Sequence, residues 1–187
     1  MKPVTSFFLF SVTLSLTFFF HPFVAQESTN LIQQVCSETH NMGNCVASLE
    51  SNPDSKQATL QQLGVIALNL ASSNAANTSS YIKTTLLTSK TLDPVIEQAL
   101  QDCSDQYLDA IQQLDDSLPA LLANATDDVR ASVKAAITDI ESCDNGFKTN
   151  IPGQEMLLSS RNAVFRQLCN TVLVINKLSS QTNAGSN

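Results

Sequence analysis

The sequence has no tryptophan, few glycines and, beyond its first 25 residues, a single histidine, His40. Each shortage removes a class of function. One histidine leaves no pair for a metal centre, and no closely spaced cysteine pair suited to zinc occurs. There is no glycine-rich phosphate loop and no Gly-x-Ser-x-Gly elbow. His40 falls in turn chemistry, where a solvated side chain is expected rather than a catalytic base. Runs of alternating polar and apolar residues are missing, which argues against a sheet. Beyond the N-terminus, no apolar stretch reaches the roughly 20 residues that a spanning helix needs. Acids are plentiful, and paired carboxylates can hydrolyse glycosides. Here they fall on polar helix faces, with no evident cleft. The chain is therefore not read as an enzyme, and no cofactor, metal or small-molecule substrate is expected.

What is present begins with an export signal. Lys2 supplies a positive charge, an apolar run follows from Phe7 to Phe20, and Ala25 offers a small residue for cleavage. Residues 1–25 read as a signal peptide, with the cut placed to within a few residues of Ala25. Its removal leaves a single domain, residues 26–187, long enough to bury a core. It also removes Lys2, taking the net charge from −7 to −8. So acidic a protein suits neither nucleic acid nor an anionic membrane surface, but does suit a basic partner. Cys36, Cys45, Cys103, Cys143 and Cys169 all lie in the mature part. In an oxidising compartment they are expected to pair, with one left over. Counting alone leaves the pairing open. Asn77 and Asn124 head Asn-x-Ser/Thr acceptor sites for glycosylation.

Helical periodicity organises the rest. Residues 28–54 read as a helical hairpin turning at Asn41-Met42-Gly43-Asn44 and ending at Asn52-Pro53-Asp54-Ser55. A helix over about 55–90 follows, with a kink or loosened turn expected near Asn74–Ser79, where propensity is weak. Asp93-Pro94 starts the next helix. Its stripe of Ile96, Ala99, Cys103, Tyr107, Ala110 and Leu114 is the cleanest amphipathic signal in the chain. A third helix, capped by Ala125-Thr126-Asp127-Asp128, carries Val129, Val133, Ala136, Ile140, Cys143 and Phe147. Asn145-Gly146 should weaken its end, and Asn150-Ile151-Pro152-Gly153 reads as a loop. The last helix spans about 155–178, and 179–187 reads as a disordered tail. Four amphipathic helices with short links predict an all-α, up-down-up-down four-helix bundle over 55–178, with the hairpin at one end.

Cys103 and Cys143 fall on the apolar stripes of consecutive antiparallel helices, where a bond would staple the core. On a helical wheel, Asp105 and Asp109 point away from that core. A solvated face is the plain reading of these acids, and an acidic docking surface for a basic protein is the functional one.

The cysteine layout, with Cys36 and Cys45 nine apart and Cys103 and Cys143 forty apart, resembles the plant invertase/pectin methylesterase inhibitor family. So do Cys45-Val-Ala-Ser-Leu-Glu-Ser-Asn-Pro-Asp-Ser55, Leu63-Gly64 and Cys143-Asp-Asn-Gly-Phe147. The resemblance implies the disulfides Cys36–Cys45 and Cys103–Cys143, with Cys169 a buried free thiol. It also implies a secreted inhibitor acting on a carbohydrate enzyme in the apoplast or cell wall, with the vacuole as the alternative address. The family has two targets. Its invertase inhibitors carry a Pro-Lys-Phe plug, where this chain has Thr126, Asp127 and Asp128. Its pectin methylesterase inhibitors carry acids two and six positions after the third cysteine, matched by Asp105 and Asp109. They also have a small hydroxyl residue before the fourth, matched by Ser142. The run Leu168-Cys-Asn-Thr-Val-Leu-Val-Ile175 is similar to theirs too. The resemblance thus favours a 1:1 complex with pectin methylesterase, bound through Asp105, Asp109 and Ser142, over one with acid invertase.

Overall fold

A computed structural model of the protein describes residues 31–150, 153 and 157–184. The expected signal peptide, the first residues of the hairpin, Ile151-Pro152 of the expected loop and residues 185–187 lie outside them. The described residues form six helices and no strand. We label them α1 (31–37), α2 (Met42–Glu50), α3 (Leu60–Tyr81), α4 (Pro94–Leu122), α5 (Thr126–Asn150) and α6 (Ser159–Ala184).

Local chemistry sets most of the boundaries. Asn41 caps α2, its side-chain oxygen accepting from Asn44 N at 3.1 Å. The helix expected over about 55–90 is corrected at its start: Pro53–Gln57 forms a separate 3₁₀ turn capped by Asn52, and the chain is extended at Ala58 and Thr59. Thr59 and Gln62 then make a reciprocal capping box for α3, with bonds of 3.3 and 2.8 Å. Asp93 caps α4 with Pro94 in its first turn. Asn124 turns the chain between α4 and α5 at φ 57°, a left-handed position that asparagine tolerates. Asp127 and Asp128 sit favourably at the positive end of α5.

Packing overrides weak propensity in three places. Asn74–Ser79 is regular α-helix, and the loosened turn falls later, at Ile82–Leu86, which is π-helical. Ala75, Thr78 and Ser79 are buried, and the Ser79 hydroxyl meets that of Ser104 on α4 at 3.1 Å. Lys83, Thr84 and Thr85 are exposed, so nothing holds the tighter ladder there. Asn145-Gly146 does not end α5, because Phe147 is buried one turn beyond Cys143 and the helix runs to Asn150. Residues 179–184, expected to be disordered, continue α6, which is described from Ser159; the expected start near 155 lies outside the described residues. Ser179, Ser180 and Thr182 donate back to carbonyls of their own helix, which satisfies polar groups that would otherwise compete with it.

The four long helices form a closed ring in which α3 and α5 each pack on α4 and α6. All neighbours run antiparallel. Gln61 of α3 bonds the carbonyls of Leu121 and Leu122, while Ser79 meets Ser104. Asn176 of α6 reaches the Thr126 carbonyl, while Asn162 reaches Asp144. This is the up-down-up-down bundle that the periodicity predicts. Gly64 sits where the ring is tightest: a Cβ there would lie 3.0 Å from Leu121 and 3.3 Å from Ile175. Glycine there lets α3 approach α4 and α6 without displacing the Leu121 and Ile175 side chains.

The hairpin of α1 and α2 is joined by Cys36–Cys45, with Cα atoms 5.5 Å apart. It does not sit at one end of the bundle. Ile32, Val35 and Leu49 are fully buried, and α2 packs on α3 and α6. The turn lies along the flank of α6, where Glu38 pairs with Lys177. A face of three large apolar residues needs a helix flank to cover it, and a bundle end offers less apolar surface.

Candidate target-binding interface

α4 carries six acids, Glu97, Asp102, Asp105, Asp109, Asp115 and Asp116, and no lysine or arginine. All six are exposed. The opposite side of the same helix buries Ala99, Cys103, Tyr107, Ala110 and Leu114. One periodicity therefore produces both features: it drives the apolar stripe inward and leaves an acidic strip outside. Taking Cys103 as zero, Asp105 stands at about 200° and Asp109 at about 240° around the helix. Like charges four residues apart destabilise a helix by a few tenths of a kcal/mol, so this strip does not serve α4 itself.

The Cys103–Cys143 bond, with Cα atoms 4.8 Å apart, fixes α5 against α4. Ser142 is exposed next to it, and its hydroxyl donates to the Thr138 carbonyl at 3.0 Å. Its oxygen lone pairs stay available. Ser142 also lines a notch of about 60 Å³ with Asp102 and Gln106 from α4 and Gly146 from α5. One turn along, Asp139 is held above the usual carboxylate range, chiefly by burial and secondly by the charge of Asp109 across the seam. Asp139 Oδ2 and Gln106 Oε1 are both shut off from solvent and accept no hydrogen bond among the described residues. An acceptor so placed costs about 1–3 kcal/mol.

The structure thus brings Asp109 and Ser142 to one α4–α5 seam. Asp105 stands further out on the exposed strip. Sequence reasoning missed Asp102, Gln106 and Asp139, and the wheel held the signal for all three. Asp139 lies four residues before Cys143, and Asp102 and Gln106 flank Cys103, so a Cys103–Cys143 bond places them along the same seam.

Behind the seam, Asp144 ties α5 to α6. It accepts from Asn162 Nδ2 and forms an ion pair with Arg166. Tyr107 donates to the other side of the Asn162 amide, and its ring meets Phe165 edge-on at 5.8 Å. Burial pushes the Tyr107 phenol well above its ordinary value. Cys169 is free and buried, and burial pushes its thiol up as well, so it behaves as a small apolar residue.

The remaining candidates are easily placed. His40 is exposed beside a groove of about 460 Å³ between the hairpin turn and α6. Asn77 is exposed on α3, and Asn124 is exposed in the α4–α5 turn. Thr126, Asp127 and Asp128 open α5, with Asp127 paired to Arg130. Among the described residues no cluster of three or more His, Cys, Asp or Glu could hold a metal ion, and no helix is long and apolar enough to cross a membrane.

Residues 30–175 match the family model for plant invertase/pectin methylesterase inhibitors. The chain is a member of the plant invertase/pectin methylesterase inhibitor family. Proteins of this family are inhibitors of enzymes, either pectin methylesterase or invertase. A pectinesterase inhibitor from Actinidia deliciosa is 31% identical over 151 residues, which cover 80% of this chain and 79% of that protein. A cell wall/vacuolar inhibitor of fructosidase from Arabidopsis thaliana is 29% identical over 173 residues, covering 90% and 95%. A crystal structure of a mutant pectin methylesterase inhibitor from Arabidopsis aligns with a TM-score of 0.66 at 22% identity, covering 78% of this chain and 95% of that one. That likeness supports the bundle fold. Both kinds of inhibitor are therefore relatives of this chain.

Proposed function

We propose that the protein is a secreted inhibitor of pectin methylesterase, binding it 1:1 through the outer faces of α4 and α5 and covering its pectin-binding cleft. The observation that carries this reading is the set of exposed acids on α4, with no lysine or arginine among them, lying beside Ser142 at the disulfide-fixed seam. Asp105 and Asp109 accept charge-assisted hydrogen bonds from basic groups near the cleft, and Ser142 adds an acceptor alongside. A rigid, cross-linked surface loses little entropy on docking. A complex of standard size buries about 1,600 Å² in total, so these residues are the centre of a larger contact. Inhibition needs no chemistry from the inhibitor, only occlusion. The site of action is the cell wall, reached through the export signal at residues 1–25, with glycans carried at Asn77 and Asn124. Cleavage near Ala25 leaves one inhibitor domain from residue 26 onward.

Acid invertase is the second reading, favoured by the high coverage of the fructosidase inhibitor relative. Against it, the first turn of α5 presents Asp127 and Asp128 where the family's plug is basic and aromatic. Titrating the purified protein into both enzymes separates the two. Loss of esterase activity with invertase untouched supports the first, and the reverse pattern overturns it.

A further inference from the structure

The sign of the charge reverses along the flank of α6. With Lys2 set aside, the chain has nine lysines and arginines against seventeen acids. Four of the nine, Arg130, Lys134, Arg166 and Lys177, line two hollows beside α6. Of the seventeen acids only Glu38 does so. The smaller hollow, about 170 Å³, lies between α5 and α6, and no acid lines it. The larger is the groove of about 460 Å³ under the hairpin turn. Leu173 and Lys177 line both, so the two adjoin as one trough.

Folding does not require this cluster. Arg130 and Lys134 are exposed like charges four apart on α5, which weakens a helix slightly. Lys134 has no ion-pair partner among the described residues. Arg130 pairs with Asp127 and Lys177 with Glu38, but all four side chains are about half exposed or more. Such pairs hold so weakly that either cation can turn to another anion. The neutral lining suits a sugar chain. Asn41, Gln167 and Asn170 offer amides to hydroxyl groups, and Leu173 and Val174 offer an apolar floor to ring C–H faces. A ligand reaching from Arg166 to Lys177 spans about 16 Å along α6, more than a single sugar ring provides.

We infer that this trough binds an acidic polysaccharide, a hydroxyl-rich chain bearing carboxylates, with Arg130, Lys134 and Lys177 taking the carboxylates. Removing methyl esters from pectin leaves that chemistry. The protein's net negative charge does not forbid it. Screening limits the reach of exposed charges to about 8 Å, and the acids of α4 lie on the helix diagonal to α6. One molecule can therefore hold polymer on this flank and enzyme on the other. Binding here depends on the trough's own residues, whichever enzyme the α4–α5 face meets.

The test measures Kd for a de-esterified galacturonate oligomer, its fully methyl-esterified counterpart and monomeric galacturonate, on wild type and on Lys134→Gln/Lys177→Gln, with the Tm of both proteins. Wild type binds the acidic oligomer, more weakly as salt rises. It binds the ester and the monomer about tenfold more weakly or worse. The double variant loses about tenfold or more for the acidic oligomer, the worth of one charge-assisted bond. Its Tm is unchanged because both side chains are exposed, and it still inhibits whichever enzyme wild type blocks. No binding, equal affinity for acid and ester, or unchanged affinity in the variant overturns the proposal. Equal affinity for monomer and oligomer means a small-anion pocket and overturns the polysaccharide. Lost inhibition in the variant overturns the separation of the two faces. A wild type that binds the acidic oligomer and blocks neither enzyme overturns the inhibitor reading alone.

Discussion

Tyr107 on α4 donates its phenolic hydrogen to Asn162 Oδ1 on α6 at 2.6 Å, across the diagonal of the bundle. Both side chains are fully buried. The Asn162 amide nitrogen continues to Asp144 on α5, so one polar chain locks three helices that apolar packing alone would let slide.

Tyr107→Phe leaves the Asn162 carbonyl buried without a donor. The expected cost is about 1–3 kcal/mol, seen as a Tm drop of roughly 3–10 °C for a domain of this size. Thermal melting by circular dichroism checks it. An unchanged Tm would mean the network contributes no stability.

The two disulfides differ in what they hold. Cys103–Cys143 closes a separation of 40 residues and Cys36–Cys45 one of 9. In the chain-entropy model these are worth about 4 and about 3 kcal/mol. Replacing Cys103 and Cys143 together by serine lowers global stability, read by urea titration. Replacing Cys36 and Cys45 by serine instead frees two helices too short to persist alone. Fast amide exchange confined to α1 and α2 is the expected signature.

How much of this was legible beforehand varied with the kind of force involved. The α4 stripe from Ala99 to Leu114 and the α5 stripe from Val129 to Phe147 were plain, because spacing alone sends them inward. The α3 boundaries were not. Residues 74–79 look weakly helical, and only the small buried groups facing α4 show why they stay regular. Gly146 looked like a terminator, but Phe147 and the Asp144 bonds carry the helix past it. The hairpin's place along α6 depends on which flank best covers Ile32, Val35 and Leu49, a comparison that needs three dimensions. Asp105 and Asp109 stood out on the helical wheel as outward acids, while Ser142 and the choice of target came from family resemblance. Their neighbours Gln106 and Asp139 needed the partner helix in view, since burial without a partner is a property of the seam and not of either helix.

Asp139 makes stability depend on pH in a defined direction. Its folded carboxyl holds a proton at higher pH than the ordinary 3.8, through burial first and Asp109 second. Ionised Asp139 therefore costs stability at neutral pH, and the cost fades as pH falls through the raised folded value towards 3.8. Asp139→Asn should raise Tm at neutral pH and change it little near pH 3, of order the unfolded value. Asp109→Ala should act in the same direction and more weakly. A larger gain at acidic pH would reverse the sign of the account.

The acceptor sites predict where sugar is tolerated. Asn77 lies on α3, which is diagonal to α5 in the ring, and Asn124 lies about 22 Å along α4 from Asp109. Neither position adjoins Asp109 or Ser142, so a glycan at either is expected to leave that part of the α4–α5 face clear. Enzymatic deglycosylation of protein from a plant host should lower its mass and leave its inhibition constant unchanged. A changed constant would place a glycan on the binding face.

The most direct measurement is an activity titration of pectin methylesterase with wild type and with Asp105→Ala/Asp109→Ala, run beside their far-ultraviolet spectra. Wild type should abolish esterase activity near one equivalent. The double variant should need at least tenfold more protein at an identical helical signal. Equal potency of the two proteins would show that the acidic face of α4 does not touch the enzyme.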